Sequence, residues 1–291
     1  MSSLIKPELE FMKSREIDPA MRAVLRQVLV NMPWSYVGRF MDLVVENRMN
    51  IELGFAAADL ESCSPGEVCA AVARIRERGG RISFHGPFWD LNPGSVDPAI
   101  REVTRSRLDS LFQLAERALP EQVVFHAGFD PRHHRGHRPE WIENCLATLG
   151  PFVRRAEMLN CTLVLENVFE DGPELHLELL ERIKSPRLGF CLDLGHQHAF
   201  SQTALDKWLL AAWPYLKEVH LHDNDRSFDA HLPVGAGTID FDLLFGFLIE
   251  KRIFPLLTVE PHTVEHLFET LAGLARMAAF NDFLEACRQN A

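Results

Sequence analysis

Residues 162–196 read TLVLENVFEDGPELHLELLERIKSPRLGFCLDLGH, and they contain one complete strand–helix–strand unit. The apolar runs at 162–167 and 188–193 predict buried strands, and the segment between them, 173–183, has helical periodicity. A strand that is covered on both faces should be almost wholly apolar, yet each run contains a carboxylate near its end, at Glu166 and Asp193. In a parallel barrel such a position faces the usual active-site end.

The same unit recurs along the chain. We predict strands at 27–32, 50–55, 81–86, 122–127, 162–167, 188–193, 218–223 and 255–261. Helical segments are predicted at 41–46, 66–78, 97–119, 139–159, 173–183, 202–213, 240–251 and 263–289. Eight strands that each precede a helix, without a Gly/Ser-rich linker, indicate an α/β fold that forms a single (β/α)₈ TIM barrel. An open doubly wound sheet is disfavoured because no Gly-rich phosphate fingerprint follows any strand.

We therefore expect one barrel domain over residues 27–291, with residues 1–26 as an N-terminal extension, an arm or helix packed on the barrel. The 291 residues are 47% hydrophobic, a composition that can bury a full core. No apolar run of membrane-spanning length occurs, and the first residues lack the order of a secretory signal. We expect a cytoplasmic protein without a membrane partner, in which the six scattered cysteines remain free thiols.

Imidazole and carboxylate groups end six consecutive predicted strands. They occur in RISFHG (81–86), QVVFHA (122–127), TLVLEN (162–167), GFCLDLGH (189–196), EVHLHD (218–223) and PLLTVEPH (255–262), and the segment FDAHLPVGAG (228–237) adds two more. A single polar residue at a strand end is usually a hydrogen-bonded packing group. That explanation cannot cover Glu166, Asp193, Asp229 and Glu260 together, because converging buried carboxylates are costly without a cation. The sequence thus predicts a divalent metal, and mixed nitrogen and oxygen donors suit zinc, manganese, iron or cobalt.

The motifs HGPF, VFHAG, LEN, DLGH, HLHDND, DAH, GAGTID and VEP, in this order over roughly 81–261, resemble the xylose-isomerase-like TIM-barrel superfamily. That superfamily joins sugar isomerases and epimerases with the endonuclease IV branch, also called AP endonuclease family 2. The resemblance implies that a single metal, as in the epimerases, is held by Glu166, Asp193, His220 and Glu260. For the three zinc ions of the endonuclease branch it implies the further ligands His85, His126, His196, Asp229 and His231. One to three ions of zinc or manganese are expected.

The favoured function is a metal-dependent isomerase or epimerase of a small sugar, polyol or sugar phosphate. Under this hypothesis Glu166 and Glu260 exchange a proton on opposite faces of the substrate, and His196 positions a substrate oxygen. The substrate-binding candidates are Phe88 and Trp89 as pocket walls, and Arg226, Arg132 and Arg135 for a terminal phosphate.

The alternative is an endonuclease IV-like zinc phosphodiesterase that acts at abasic sites in DNA, because two or three ions can clamp a phosphate and generate hydroxide. A formal charge of −11 and the lack of a basic stripe disfavour a DNA partner relative to a small molecule. A purely structural metal is a third possibility. It is disfavoured because structural zinc sites are closed four-ligand shells, whereas the donors here exceed four and face the mouth of the barrel.

Overall fold

A computed structural model describes residues 17–290. Within that range eight parallel strands close into a barrel in the order β1 to β8, and β1 pairs with β8 through Leu29 opposite Thr258. The strands are β1 Leu29–Pro33, β2 Asn50–Gly54, β3 Ile82–His85, β4 Gln122–His126, β5 Thr162–Glu166, β6 Leu188–Asp193, β7 Leu216–Leu221 and β8 Leu256–Val259. The predicted (β/α)₈ fold is confirmed.

Helices surround the barrel. In the described part of the chain they are α1 Pro19–Leu25, α2 Trp34–Asn47, α3 Ala57–Ser62, α4 Pro65–Arg76, α5 Pro98–Ala118, α6 Pro131–His134, α7 Arg138–Leu159, α8 Glu174–Ile183, α9 Leu194–Phe200, α10 Leu205–Ala212, α11 Phe241–Lys251, α12 Val264–Arg276 and α13 Ala278–Asn290. Short 3₁₀ turns cover Arg135–His137 and Trp213–Tyr215.

Several features of the helices differ from the sequence expectation. The short helices α3, α6 and α9 were not predicted, and α2 begins at Trp34 rather than at residue 41. The long segment predicted at 263–289 divides at Met277, whose backbone is extended. Helix α9 follows β6 without a loop because Asp193 caps it, accepting from the backbone N–H of His196 at 2.6 Å. That cap turns the chain at the strand end and brings His196 back over the barrel mouth.

Helix α1 is the first element in the described part of the chain. Asp18 caps it by accepting from the Met21 N–H at 2.8 Å, and Val24 and Leu25 are buried. The helix contacts α12. The division between an arm and the barrel at residue 26 stays a prediction, and residues 1–16 lie outside the described part of the chain.

The apolar core lies mainly between the barrel wall and the helices. Because side chains alternate along a strand, Val123 and Phe125 of β4 join that outer core, whereas Gln122, Val124 and His126 face the interior. Inside the barrel, Val124, Val164 and Cys191 form a separate small apolar cluster. Much of the remaining interior is polar, which a purely structural barrel does not require. Within residues 17–290, no helix combines the length and apolarity needed to cross a bilayer.

Candidate metal centre

Two adjacent strand ends are held in register by an amide side chain. Asn167, directly after β5, donates from Nδ2 to the Asp193 carbonyl at 3.0 Å and accepts from the Asp193 N–H at 2.9 Å. These two bonds extend the pairing of β5 and β6 beyond the regular ladder. The carboxylates of Glu166 and Asp193 are therefore fixed side by side at the barrel mouth.

The first group of donors consists of His85, His126 and Glu166. The Nε2 atoms of His85 and His126 lie 3.0 and 3.2 Å from Glu166 Oε2. The two imidazole rings are edge to face, with their centroids 5.2 Å apart. Donor atoms of the three residues lie within 4.8 Å of one another, a spacing that could hold a metal ion.

The central group surrounds His220. Its Nδ1 lies 3.2 Å from Glu260 Oε1, 3.6 Å from Glu166 Oε2 and 3.7 Å from Asp193 Oδ2. The ring is fully buried, and neither of its nitrogens makes a hydrogen bond to another described residue. A buried imidazole without hydrogen bonds that faces three carboxylates fits a divalent cation, which would satisfy all four groups.

The third group consists of His196, Asp229 and His231. Asp229 Oδ2 lies 3.0 Å from His231 Nε2 and 3.4 Å from His196 Nε2. Asp229 Oδ1 is buried and has no hydrogen-bond partner among the described residues. His231 has a left-handed backbone with φ of 45°, a conformation that non-glycine residues rarely adopt and that is concentrated at functional sites.

The loop that carries Asp229 and His231 is held by one carboxylate. Asp223 accepts backbone N–H bonds from Asn224, Gly235, Gly237 and Ile239 at 2.9 to 3.1 Å. A Cβ at Gly237 would lie 2.4 Å from Asp223 Oδ1, so glycine is required for this close approach. The motif HLHDND therefore supplies a ligand candidate at His220 and, three residues later, the anchor of the next loop.

All nine predicted ligand residues are thus brought together, and Glu166 belongs to both the first and the central group. Hydrogen bonds and charge strongly perturb their titration. Burial acts to lower the pKa of His85, but the hydrogen bond and charge of Glu166 outweigh it and raise the pKa to about 9. Burial acts to raise the pKa of Asp229, but hydrogen bonds from His196 and His231 hold it well below its usual range. Ions that bind these atoms would displace the imidazole protons.

The sequence prediction missed His222 as a site residue. Its Nε2 lies 3.0 Å from Asp193 Oδ2, and its ring stacks on His231 with centroids 3.8 Å apart and an interplanar angle of 3°. A Cβ at Gly195 would lie 1.8 Å from His222 Cε1, so the glycine of the DLGH motif makes room for this imidazole. Strand alternation from His220 was a signal that could have placed His222 on the interior face.

The sequence prediction also missed two interior carboxylates, Glu52 on β2 and Glu218 on β7. Both are fully buried below His220. Burial raises the pKa of Glu52 to about 8, and repulsion from Glu218 acts in the same direction. A glutamate in the centre of an apolar strand, as in NIELG at 50–54, was the available signal.

The predicted substrate-binding aromatics form a short ladder. The Phe88 ring stacks on His126 with centroids 4.6 Å apart, and Trp89 lies 5.2 Å from Phe88. Trp89 is 78% exposed, so the ladder runs from solvent to the first donor group. An exposed aromatic face beside buried polar groups is typical of a ligand-binding wall.

The three predicted arginines differ in how they are engaged. Arg226 is exposed and donates from Nη2 to the Ser201 carbonyl at 3.2 Å, beside the end of α9. Arg132 forms an ion pair of 2.7 Å with Asp130 and lies over the Phe169 ring. Arg135 is exposed on the same loop as Arg132. Arg132 is thus engaged by a carboxylate, whereas the cited bond of Arg226 is to a backbone carbonyl.

A family model described as "Xylose isomerase-like TIM barrel" matches residues 50–280, and the chain belongs to that family. An uncharacterised protein of Methanocaldococcus jannaschii is 33% identical over 172 residues, which cover 55% of this chain and 57% of the relative. A probable endonuclease 4 of Mycoplasmopsis pulmonis is 23% identical over 166 residues, or 52% and 57% of the two chains. The chain thus matches less than two thirds of the length of these relatives.

Solved structures match over more of the chain. A zinc-soaked protein of Thermus thermophilus has a TM-score of 0.72 at 26% identity, covering 90% of this chain and 98% of that one. A D-tagatose 3-epimerase-like protein also has a TM-score of 0.72, at 24% identity, covering 91% and 100%. The second likeness shows the fold alone.

Proposed function

We propose that this protein is a divalent-metal-dependent isomerase or epimerase of a small sugar, polyol or sugar phosphate. The observation that carries the proposal is His220, whose unpartnered Nδ1 faces Glu260, Glu166 and Asp193 at 3.2 to 3.7 Å. Family membership and the fold shared with an epimerase-like protein support it. The cytoplasmic location expected from the sequence remains part of the proposal.

Glu166, Asp193, His220 and Glu260 would hold the ion. A bound divalent ion supplies Lewis acidity, which polarises a substrate carbonyl and lowers the pKa of the adjacent carbon acid. Glu166 ends β5 and Glu260 follows β8, so the two carboxylates approach the mouth from different sides. One would remove the proton from one face of the substrate carbon, and the other would return it on the opposite face.

Other residues would orient the substrate and shield it from water. His196 Nε2 lies beside Asp229 at the mouth and would donate to a substrate oxygen. Phe88 and Trp89 would cover the apolar face of a sugar. Arg226, or Arg132 with Arg135, would meet a terminal phosphate.

Solvent hydrogen exchange tests the proton-transfer step for any sugar that the site accepts. Purified protein would be incubated in D₂O with manganese, cobalt or zinc and a panel of ketoses, ketose phosphates and keto-polyols, and carbon-bound deuterium would be followed by NMR. We expect metal-dependent exchange that falls by at least about 10²-fold in Glu166→Gln and Glu260→Gln. The exposed Glu265→Gln serves as the control and should retain exchange. Exchange that persists in both site variants would contradict the proposed proton transfer.

The DNA hydrolase remains the second candidate because the first and third donor groups supply ligands that a single-metal epimerase does not need. The probable endonuclease 4 relative supports it. Zinc-loaded protein with abasic duplex DNA tests this alternative. Nicking by the wild type that disappears in Asp229→Asn and His231→Ala would favour the hydrolase. If the protein is an isomerase, these two variants should reduce hydrogen exchange into the sugar less than Glu166→Gln and Glu260→Gln do.

A further inference from the structure

Two carboxylates lie beneath His220, on the side opposite the three mouth carboxylates. Glu52 Oε1 is 3.5 Å and Glu218 Oε1 is 3.8 Å from His220 Nε2. Both glutamates have no solvent exposure. We call Glu52 and Glu218 the inner carboxylate pair.

The inner carboxylate pair is fixed by hydrogen bonds from other strands. Glu52 accepts from Asn31 Nδ2 and from Ser83 Oγ, each at 3.0 Å. Glu218 accepts from Thr258 Oγ1 at 2.5 Å and from Gln122 Nε2 at 3.2 Å. These donors come from four different strands, so neither carboxylate is free to turn away from its place. Buried carboxylates that lack a salt-bridging Lys or Arg destabilise a fold, which argues that they serve the site above them.

The position of the pair, on the Nε2 side of His220, matters once an ion binds on the Nδ1 side. A neutral imidazole has one N–H and one lone pair, and the hydrogen bond made by one nitrogen decides which nitrogen can bind a metal. An ion held by Glu166, Asp193 and Glu260 would take the Nδ1 lone pair and leave the proton on Nε2, where the charge of carboxylate oxygens 3.5 and 3.8 Å away stabilises the N–H. The Nδ1 lone pair then points at the space between Glu166, Asp193 and Glu260.

We propose that Glu52 and Glu218 are positioning residues whose carboxylates face the Nε2–H of His220 and thereby favour the presentation of Nδ1 to the divalent ion. This inference rests on the metal of the proposed function but not on its substrate or reaction. Glu52 also has a competing role as a direct ligand, because its donor atoms and those of His85, His220 and Glu260 lie within 4.8 Å of one another. Positioning is favoured because both oxygens of Glu52 already accept hydrogen bonds from side chains of neighbouring strands.

Metal affinity tests the proposal without substrate. Dissociation constants for cobalt and zinc would be measured by chelator competition in wild type, Glu52→Gln, Glu52→Ala, Glu218→Gln and Glu218→Ala. We expect the Ala variants to bind about 10- to 100-fold more weakly, and the Gln variants to bind better than the Ala variants because an amide oxygen still places a negative dipole opposite Nε2–H. Glu77→Gln is the control, since Glu77 is an exposed glutamate at the end of α4. Its affinity should equal that of wild type.

Two further readouts separate positioning from ligation and from misfolding. The cobalt absorption spectrum should keep its shape in the Gln variants if Glu52 is not a ligand. If Glu52→Gln changes that spectrum and binds as weakly as Glu52→Ala, Glu52 is a ligand and the positioning role is wrong.

Nitrogen-15 NMR of histidine in the metal-loaded wild type should show His220 as the Nε2–H tautomer. An Nδ1–H tautomer would overturn the proposal, and this measurement does not depend on whether the Ala variants fold. Unchanged metal affinity in folded Ala variants of both glutamates would overturn it as well.

Discussion

Two regions of this protein are rich in histidine, and they use it differently. The connection after β4, residues 131–138, consists of α6, a 3₁₀ turn and the first residue of α7, and we call it the loop. There His134 Nδ1 accepts from the Asp130 N–H at 2.9 Å and its Nε2 lies 3.1 Å from Asn92 Nδ2. His133 is exposed and contacts Asp130 Oδ2 at 3.0 Å. At the barrel mouth, by contrast, the buried His220 faces three carboxylates and neither nitrogen has a hydrogen-bond partner among the described residues.

The difference teaches that histidine content does not identify a metal site, whereas a buried imidazole that lacks hydrogen bonds and faces several carboxylates does. The loop imidazoles have partners or water available, so an ion adds little to them. His220 is removed from water and lies among carboxylates without a hydrogen bond, so an ion would supply an interaction that the described residues do not provide. The following predictions test this contrast.

The largest effect is expected from Glu166→Ala. This carboxylate contacts His85, His126 and His220 and therefore serves two donor groups. Its removal should weaken binding of zinc or cobalt by more than about 100-fold, since losing a ligand costs more than losing a ligand's hydrogen-bond partner. Chelator competition provides the measurement. His133→Ala, in the loop, should bind zinc or cobalt as tightly as wild type does. If Glu166→Ala and His133→Ala lose the same amount of metal affinity, the proposed difference between the two histidine-rich regions is wrong.

Metal addition should stabilise the native chain. Zinc at about 100 times its dissociation constant should add about 2.7 kcal/mol to the free energy of unfolding, because the assembled donors exist only in the native state. Thermal unfolding with and without zinc measures the gain, and excess chelator should reverse it. His220→Ala should show a much smaller gain, whereas the exposed-loop variant His137→Ala should show the full one. Equal gains in all three proteins would place the stabilising ion elsewhere.

Gly195→Ala should destabilise the mouth by about 1–3 kcal/mol, the usual cost of overpacking. Its Cβ would lie 1.8 Å from His222 Cε1, so the imidazole must leave Asp193. Denaturant unfolding measures the loss, and weaker zinc binding should accompany it. The control is Gly246→Ala in α11, where a Cβ meets nothing within 4 Å. That variant should be neutral or more stable by up to about 1 kcal/mol, since alanine favours a helix.

The smallest effect is expected in the loop. A hydrogen bond from Arg132 lowers the pKa of Asp130 to about 2. A lowered native pKa stabilises the fold above the unfolded value of about 3.9, and the contribution disappears as the pH falls through about 2. Asp130→Asn should therefore cost no more than about 1 kcal/mol at pH 7, because the Arg132 partner is exposed. Unfolding curves at pH 7 and pH 3 should show the gap between variant and wild type narrowing, and a gap that widens at pH 3 would contradict this assignment.

Most of the barrel was predictable because its signals are local. Strands β2, β4, β5 and β6 begin at the residues where their apolar runs begin, and the donor candidates follow from strand ends. Helix α9 was missed because its seven residues offer little periodicity and because its start depends on a cap supplied by a site residue, Asp193. The break at Met277 was missed because helical residues flank it on both sides.

The sequence by itself determined the repeated strand–helix order, the polar residues at the strand ends and the acidic character of the chain. Those properties follow from periodicity and residue type along short segments. Only the tertiary structure decided that Glu52 and Glu218 meet beneath His220, and that His222 occupies the space left by Gly195. The reason is that barrel closure brings β2 and β7 together across the interior, and no local pattern encodes the distance between side chains so far apart in the chain.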